Sequence, residues 1–300
     1  MHKKTLKLSL LFIFVSMLTA CASICMRSVP ECRAMPFYDL SPKDIVLRAA
    51  FYTSYTTSSD ERKNNIAVAA KSLDNAFIDV NGEFSFNQTV GERTEKRGYK
   101  PAKIISGGKF VTGVGGGVCQ VSTTLYNAAL LAGLKITEFH PHSLAVSYVA
   151  PSFDAMVNSG SADLRFINNT KNPIIIKTHA DASTIKIEIY GEPMREKYVR
   201  QSVIKGEIPS TEKEIIPDAL GEYPDLYEGE SKVLKYGKNG IISTGILIKQ
   251  INGKPVSTSV IRCDRYNPTK TIIIEGTAKR DAAPPDDKEI TDTITYFGLL

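Results

Sequence analysis

The residues best suited to chemistry are Cys119, closing the run Gly113-Val-Gly-Gly-Gly-Val-Cys119, and the imidazoles of Phe139-His140-Pro-His142-Ser143. Glycines at 113, 115, 116 and 117 let the backbone turn tightly or approach a ligand closely. Immediately afterwards Val121, Leu125, Ala128, Ala129 and Ala132 share one helical face, and Gly133 is placed to stop the helix. Cys119 then belongs to the first turn, where unpaired amide donors stabilise a thiolate. Either His140 or His142 can fold back toward the thiol, which reads as a cysteine nucleophile with a histidine base. Two other uses of these residues stand beside that one. Cys119 can be a small buried hydrophobe at a tight helix–loop contact. His140, His142 and Asp154 can instead hold a metal such as zinc, although no HExxH arrangement accompanies them.

The elements that must position these groups are legible as periodicities. An amphipathic helix is predicted over residues 62–77, with Ile66, Ala69, Ala70, Leu73 and Phe77 toward the core. A strand is predicted within 51–59, a hairpin or a strand entering a loop at 78–87 around Asn81-Gly82, and two short strands around a glycine turn within 98–111. After the Cys119 helix, strands are predicted at 134–139, 145–149, 162–167, 173–179 and 184–190. Helices early and antiparallel strands late make an α+β domain. From 191 to 224 Glu, Lys and Pro dominate, and from Glu228 onward the chain reads as strands, with Asn252-Gly253 favouring a tight hairpin turn.

The chain has 300 residues, a formal charge of +5 and a pI of about 8.8. Lys and Arg are diluted by acids in both halves and form no aromatic-interleaved strip, so nucleic acid is not an expected partner. The cysteines, at 21, 25, 32, 119 and 263, give neither a disulfide framework nor a metal quartet, and nothing calls for a cofactor. Met1–Lys7 is basic and Leu8–Ile24 apolar, an export signal. Leu18-Thr-Ala-Cys21 looks like a lipobox, which would make Cys21 the lipidated N-terminus, and an uncleaved signal anchor is the other form. Both leave the body outside the membrane.

Through Gly82-Glu-Phe-Ser-Phe-Asn87, Gly115-Gly-Gly-Val-Cys119-Gln-Val-Ser122-Thr-Thr-Leu-Tyr126-Asn, His142-Ser143, Asp154-Ala155 and Asp163-Leu-Arg-Phe166, residues 65–192 resemble the VanW domain family. Residues 208–277 are similar to a G5 module, ending in Tyr266-Asn-Pro-Thr-Lys and Ile274-Glu-Gly276. The expected organisation is a leader or anchor at 1–27, a tether and extension at 28–64, the VanW-like domain at 65–192, a linker at 193–207, the all-β G5-like domain at 208–277 and a tail at 278–300. Relatives usually carry arginine where Phe139 stands, and many have glycine where this chain has Phe153. Loss of that arginine would remove a carboxylate-binding or structural ion pair.

The resemblance implies L,D-transpeptidation, in which a Cys119 thioester passes a peptidoglycan stem to an acceptor amine and forms a 3-3 crosslink. It also implies wall glycans as partners of the second domain. His142 matches the family's histidine position and is the first choice of base, with His140 in reserve. Asp154 would orient the imidazole. The amides of Gly117, Val118 or Cys119 would hold the oxyanion. Ser122 and Thr123 would bind a peptide carboxylate, unless capping and packing use them. The alternatives are an L,D-carboxypeptidase, a noncatalytic peptidoglycan-binding lipoprotein, and an accessory to glycopeptide resistance.

Overall fold

The computed structural model describes residues 45–106 and 108–279. The leader with Cys21, and the last 21 residues of the tail, lie outside the described residues. No helix among the described residues is long and apolar enough to cross a membrane.

The first domain is mixed α and β. Its elements are β1 (Val46–Ser54), α1 (Asp60–Leu73), β2 (Phe77–Ile78), β3 (Glu83–Ser85), α2 (Phe86–Val90), β4 (Pro101–Ser106) and β5 (Lys109–Val114). Then follow α3 (Val118–Leu131), β6 (Lys135–Glu138), β7 (Arg165–Ile167), β8 (Ile174–Ala180) and β9 (Thr184–Gly191). A four-stranded sheet runs β1-β9-β8-β2, a three-stranded sheet β3-β7-β6, and β4 and β5 form a hairpin; every pairing is antiparallel. Ile174, Ile176, Ile185, Ile187 and Ile189 put one face of the large sheet into the core, against α1 and α3.

Helix α1 buries Ile66, Ala69, Ala70 and Leu73 but ends earlier than its periodicity suggests. Asn75, at φ 64°, turns the chain into β2, and Phe77 is exposed there rather than core. Asn81-Gly82 makes no hairpin either: β2 pairs with β8 and β3 with β7, so the turn passes the chain between sheets. The residues around it are structural. Phe84 stacks on Phe166 at 4.7 Å, Glu83 pairs with Arg165, and Asp163 accepts from Ser85 Oγ at 2.5 Å and the Asn87 amide at 2.9 Å.

The second domain is all β. It comprises β10 (Glu196–Ile208), β11 (Lys213–Pro217), β12 (Ser231–Lys235), β13 (Gly240–Ile251), β14 (Lys254–Tyr266) and β15 (Thr271–Glu275). One sheet is β10-β13-β14, antiparallel; the other is β11-β15-β12, with β11 and β15 parallel. Asn252 and Gly253 both take positive φ, 51° and 75°, as a tight primed turn requires. Most of the segment expected as a linker is strand β10. Its apolar residues are few because its contacts to the first domain include polar groups: the Arg200 guanidinium lies 4.2 Å from the Phe51 ring and 4.8 Å from the Phe153 ring.

Helix α3 is buried almost throughout, from Val118 to Leu130. Its entry needs two glycines. A Cβ on Gly116 would sit 2.7 Å from the Lys103 carbonyl, and Gly117 takes φ 113°. Buried Asn65 on α1 fixes this entry. Its Nδ2 donates to the carbonyls of Lys100 at 2.8 Å and Gly116 at 3.0 Å, and its Oδ1 accepts from the Lys100 amide at 2.7 Å. Asn65→Ala is expected to lower unfolding free energy by about 2–4 kcal/mol, through buried backbone groups left unpaired. Urea denaturation should therefore give a lower midpoint, while an unchanged one would count against this anchoring role.

Candidate functional site

The segment 139–164 between β6 and β7 contains no strand, including the stretch 145–149 whose alternation suggested one. It is ordered by side chains of α3. Asn127 Nδ2 donates to the Phe153 carbonyl at 2.8 Å and Ser122 Oγ to the Ala155 carbonyl at 2.6 Å, while the Ala155 amide donates to Thr123 Oγ1 at 2.9 Å. These bonds lay Phe153–Ala155 along the helix that begins at Cys119.

Cys119, His142 and Asp154 meet as a result. Asp154 Oδ2 accepts from both the His142 amide and His142 Nδ1, each at 2.7 Å. An ionised carboxylate only accepts, so Nδ1 carries the proton and Nε2 is left for the thiol. The thiol and the imidazole are electrostatically coupled, and the Cys119 thiol donates to the Val157 carbonyl at 3.3 Å. Cys119 is half-buried, whereas His142 and Asp154 are buried.

The electrostatics are those of a coupled pair. Burial pushes the Cys119 thiol up, but His142, then the Val157 contact and the charge of Arg93, bring it below its ordinary value. Burial opposes the charged form of His142, and the bonds to Asp154 and Cys119 overcome it, raising the imidazole to about 9. Burial also opposes the Asp154 carboxylate, yet His142, Arg262 and Tyr266 hold it below its usual range. Both shifts run toward a thiolate beside an imidazolium, the pair of charge states in which a thiol attacks carbonyl carbon.

Three site residues escaped the sequence reading. Arg262 and Tyr266 reach Asp154 from β14. Tyr148 lies within the field of Cys119, and burial followed by the charge of Cys119 raises its phenol. The alternation Arg262, Asp264, Tyr266 places two charges and an aromatic on one face of edge strand β14. The Arg262 guanidinium lies 4.7 Å from the Phe139 ring. Phe139 thus packs beside a guanidinium supplied by the other domain.

Other candidate residues have different surroundings. His140 Nε2 pairs with Glu138 Oε1 at 2.9 Å, so His140, His142 and Asp154 do not converge on a metal, and no group of three potential ligands does so among the described residues. Ser122 and Thr123 are fully buried and spent on Ala155, which leaves them unable to receive a peptide carboxylate. The Val118 amide is bonded to the Gly115 carbonyl at 3.1 Å. The Gly117 and Cys119 amides have no backbone acceptor among the described residues, and they remain the donors available at the helix entry. Cys263 is exposed on β14 and free, as is Cys119, so the two are not paired.

Comparison with known proteins follows this division of the chain. The family model described as VanW like protein matches residues 61–190, and the G5 domain model matches residues 206–278. YoaR of Bacillus subtilis is 41% identical over 151 residues, 50% of this chain and 50% of that protein, so the match spans half of the relative's length. The vancomycin B-type resistance protein VanW of Enterococcus faecalis is 26% identical over 188 residues, 56% of this chain and 68% of the relative. A solved IgA1 protease G5 domain aligns with 28% of this chain and 92% of its own, at 26% identity and a TM-score of 0.18. The chain is therefore a VanW-family domain at residues 61–190 followed by a G5 domain at residues 206–278.

Proposed function

We propose that the chain is an extracytoplasmic, wall-associated cysteine acyltransferase, acting on peptidoglycan stem peptides as an L,D-transpeptidase. The observation that carries this reading is the Cys119–His142–Asp154 constellation at the start of a buried helix, with His142 raised to about 9 and the thiol lowered. The thiolate attacks the carbonyl of the donor's L,D-peptide bond, and the Gly117 and Cys119 amides receive the oxyanion. His142 gives its proton to the departing amine as the C–N bond breaks, and a D-amino acid leaves with the thioester behind. An acceptor amine then loses a proton to His142, attacks the thioester and expels the thiolate, completing a new amide bond. Water in place of the amine makes the same site a carboxypeptidase. Asp154 keeps Nδ1 protonated and supports the imidazolium at each stage.

The comparisons taken alone favour a second reading, a noncatalytic wall-binding or glycopeptide-resistance accessory. The relative named for vancomycin resistance does not imply a reaction by its name, and the Val157 contact to Cys119 is one that a structural thiol also makes. Lipidation of Cys21, which would tether either form, lies outside the described residues.

Incubation with purified disaccharide-tetrapeptide, followed by mass spectrometry, separates the two. Acyl transfer gives 3-3 linked dimers and free D-alanine that vanish with Cys119→Ala, and His142→Ala should slow turnover by about 10²–10⁴ fold. Folded protein that yields neither dimer nor trimmed stem supports the accessory reading.

Thiol titration gives an independent check. In the parent chain the pH midpoint for alkylation of Cys119 is expected below the ordinary thiol value, because His142 outweighs burial. In His142→Ala the Val157 contact and Arg93 still oppose burial but the largest lowering influence is gone, so the midpoint should rise above the parent's. Equal midpoints in the two proteins would remove the base from the proposal.

A further inference from the structure

The two oxygens of Asp154 are divided between the domains. Oδ2 serves His142, through its ring and its amide. Oδ1 accepts from the Tyr266 hydroxyl at 2.5 Å and lies 3.4 Å from Arg262 Nη2. Arg262 Nη1 donates to the Asp154 main-chain carbonyl at 2.6 Å, and its Nε is fixed on Asp264 Oδ2 at 2.6 Å. The Tyr266 oxygen also accepts from the Ser152 amide at 2.8 Å, and Ser152 Oγ meets Ser243 Oγ at 2.7 Å. At the other end of the segment, the Asn267 amide donates to the Ser143 carbonyl at 2.8 Å, directly beside His142. Close approach is required at this seam: a Cβ on Gly245 would stand 2.7 Å from the Ser152 carbonyl.

A carboxylate held at one oxygen by a phenol and a guanidinium cannot swing its other oxygen away from the imidazole without breaking both contacts. These are polar groups at a buried seam, with 1% of Tyr266 and 6% of Arg262 exposed, where apolar packing would suffice if adhesion between domains were the whole purpose. Resting on the acyl-transfer reading, we infer that Tyr266 and Arg262 are positioning residues of the cysteine site, contributed by the G5 domain to aim Asp154 at His142. Neither touches the thiol. They act through Asp154, whose alignment stabilises the imidazolium formed when His142 takes the Cys119 proton.

The test is alkylation of the full-length chain by iodoacetamide across the acid-to-alkaline range, read by mass spectrometry on the peptide containing Cys119. Tyr266→Phe and Arg262→Met should each raise the Cys119 midpoint by about one pH unit, roughly tenfold in thiolate at a fixed acidic pH. Arg262→Lys, which keeps the charge without the fork, should recover part of the shift. Melting temperatures recorded alongside separate this role from packing, since packing alone lowers the melting temperature and leaves the midpoint in place. Tyr266→Phe keeps the ring and loses one oxygen, so it decides the matter even if Arg262→Met does not fold. A depressed parental midpoint that ignores both substitutions overturns the inference alone, whereas an ordinary parental midpoint overturns the acyl-transfer reading and the inference with it.

Discussion

Asp154 has 1% of its surface exposed, and its carboxylate is held below the usual range, so it is an ionised group removed from water. A charge in that position is stable only where donors replace the lost hydration. Here they come from three directions: the amide and ring of His142, the phenol of Tyr266, and the guanidinium of Arg262. Each donor fixes the element that carries it. The loop bearing His142, the strand bearing Tyr266 and the α3 side chains that hold Phe153–Ala155 all take their positions around one side chain.

Helix α3 is the other half of that arrangement. Its face carries the thiol at one end and the hydroxyls and amide of Ser122, Thr123 and Asn127 along its length, and those polar groups secure an irregular segment in place of a strand partner. A loop held in this way can present backbone and side chains at angles that a pleated strand would forbid. The cost is a set of polar residues in the middle of a helix, tolerated because every one of them has a partner.

Much of this was legible in the chain before any fold was considered. The glycine run and the 3.6-residue period marked α3 and the place of Cys119, Ile66 to Leu73 marked the core face of α1, and Asn252-Gly253 marked a hairpin. The errors have physical causes. Residues 145–149 alternate like a strand but find no neighbouring strand, and pairing is a nonlocal condition that alternation does not reveal. Strand β10 read as a linker because it uses Arg200 and Tyr198 where an ordinary interface strand would use aliphatic residues. Arg262 and Tyr266 lie on one face by period two, yet nothing local says which surface that face will meet. The glycine run and the two imidazoles singled out Cys119 and His142 as candidates and the family resemblance added Asp154; neither disclosed that Asp154 is met by Arg262 and Tyr266 of the other domain.

The Asp154–Tyr266 contact closes over 112 residues of chain, and this distance sets an order of events during synthesis. Ribosomes deliver the N-terminal part first, so Cys119, His142 and Asp154 emerge while β14 has yet to be made. Until it arrives, segment 139–164 lacks the donors that allow Asp154 to be enclosed, and water remains the better partner for its charge. Enclosure of Asp154 is in this sense a late folding event, timed by the last long hairpin.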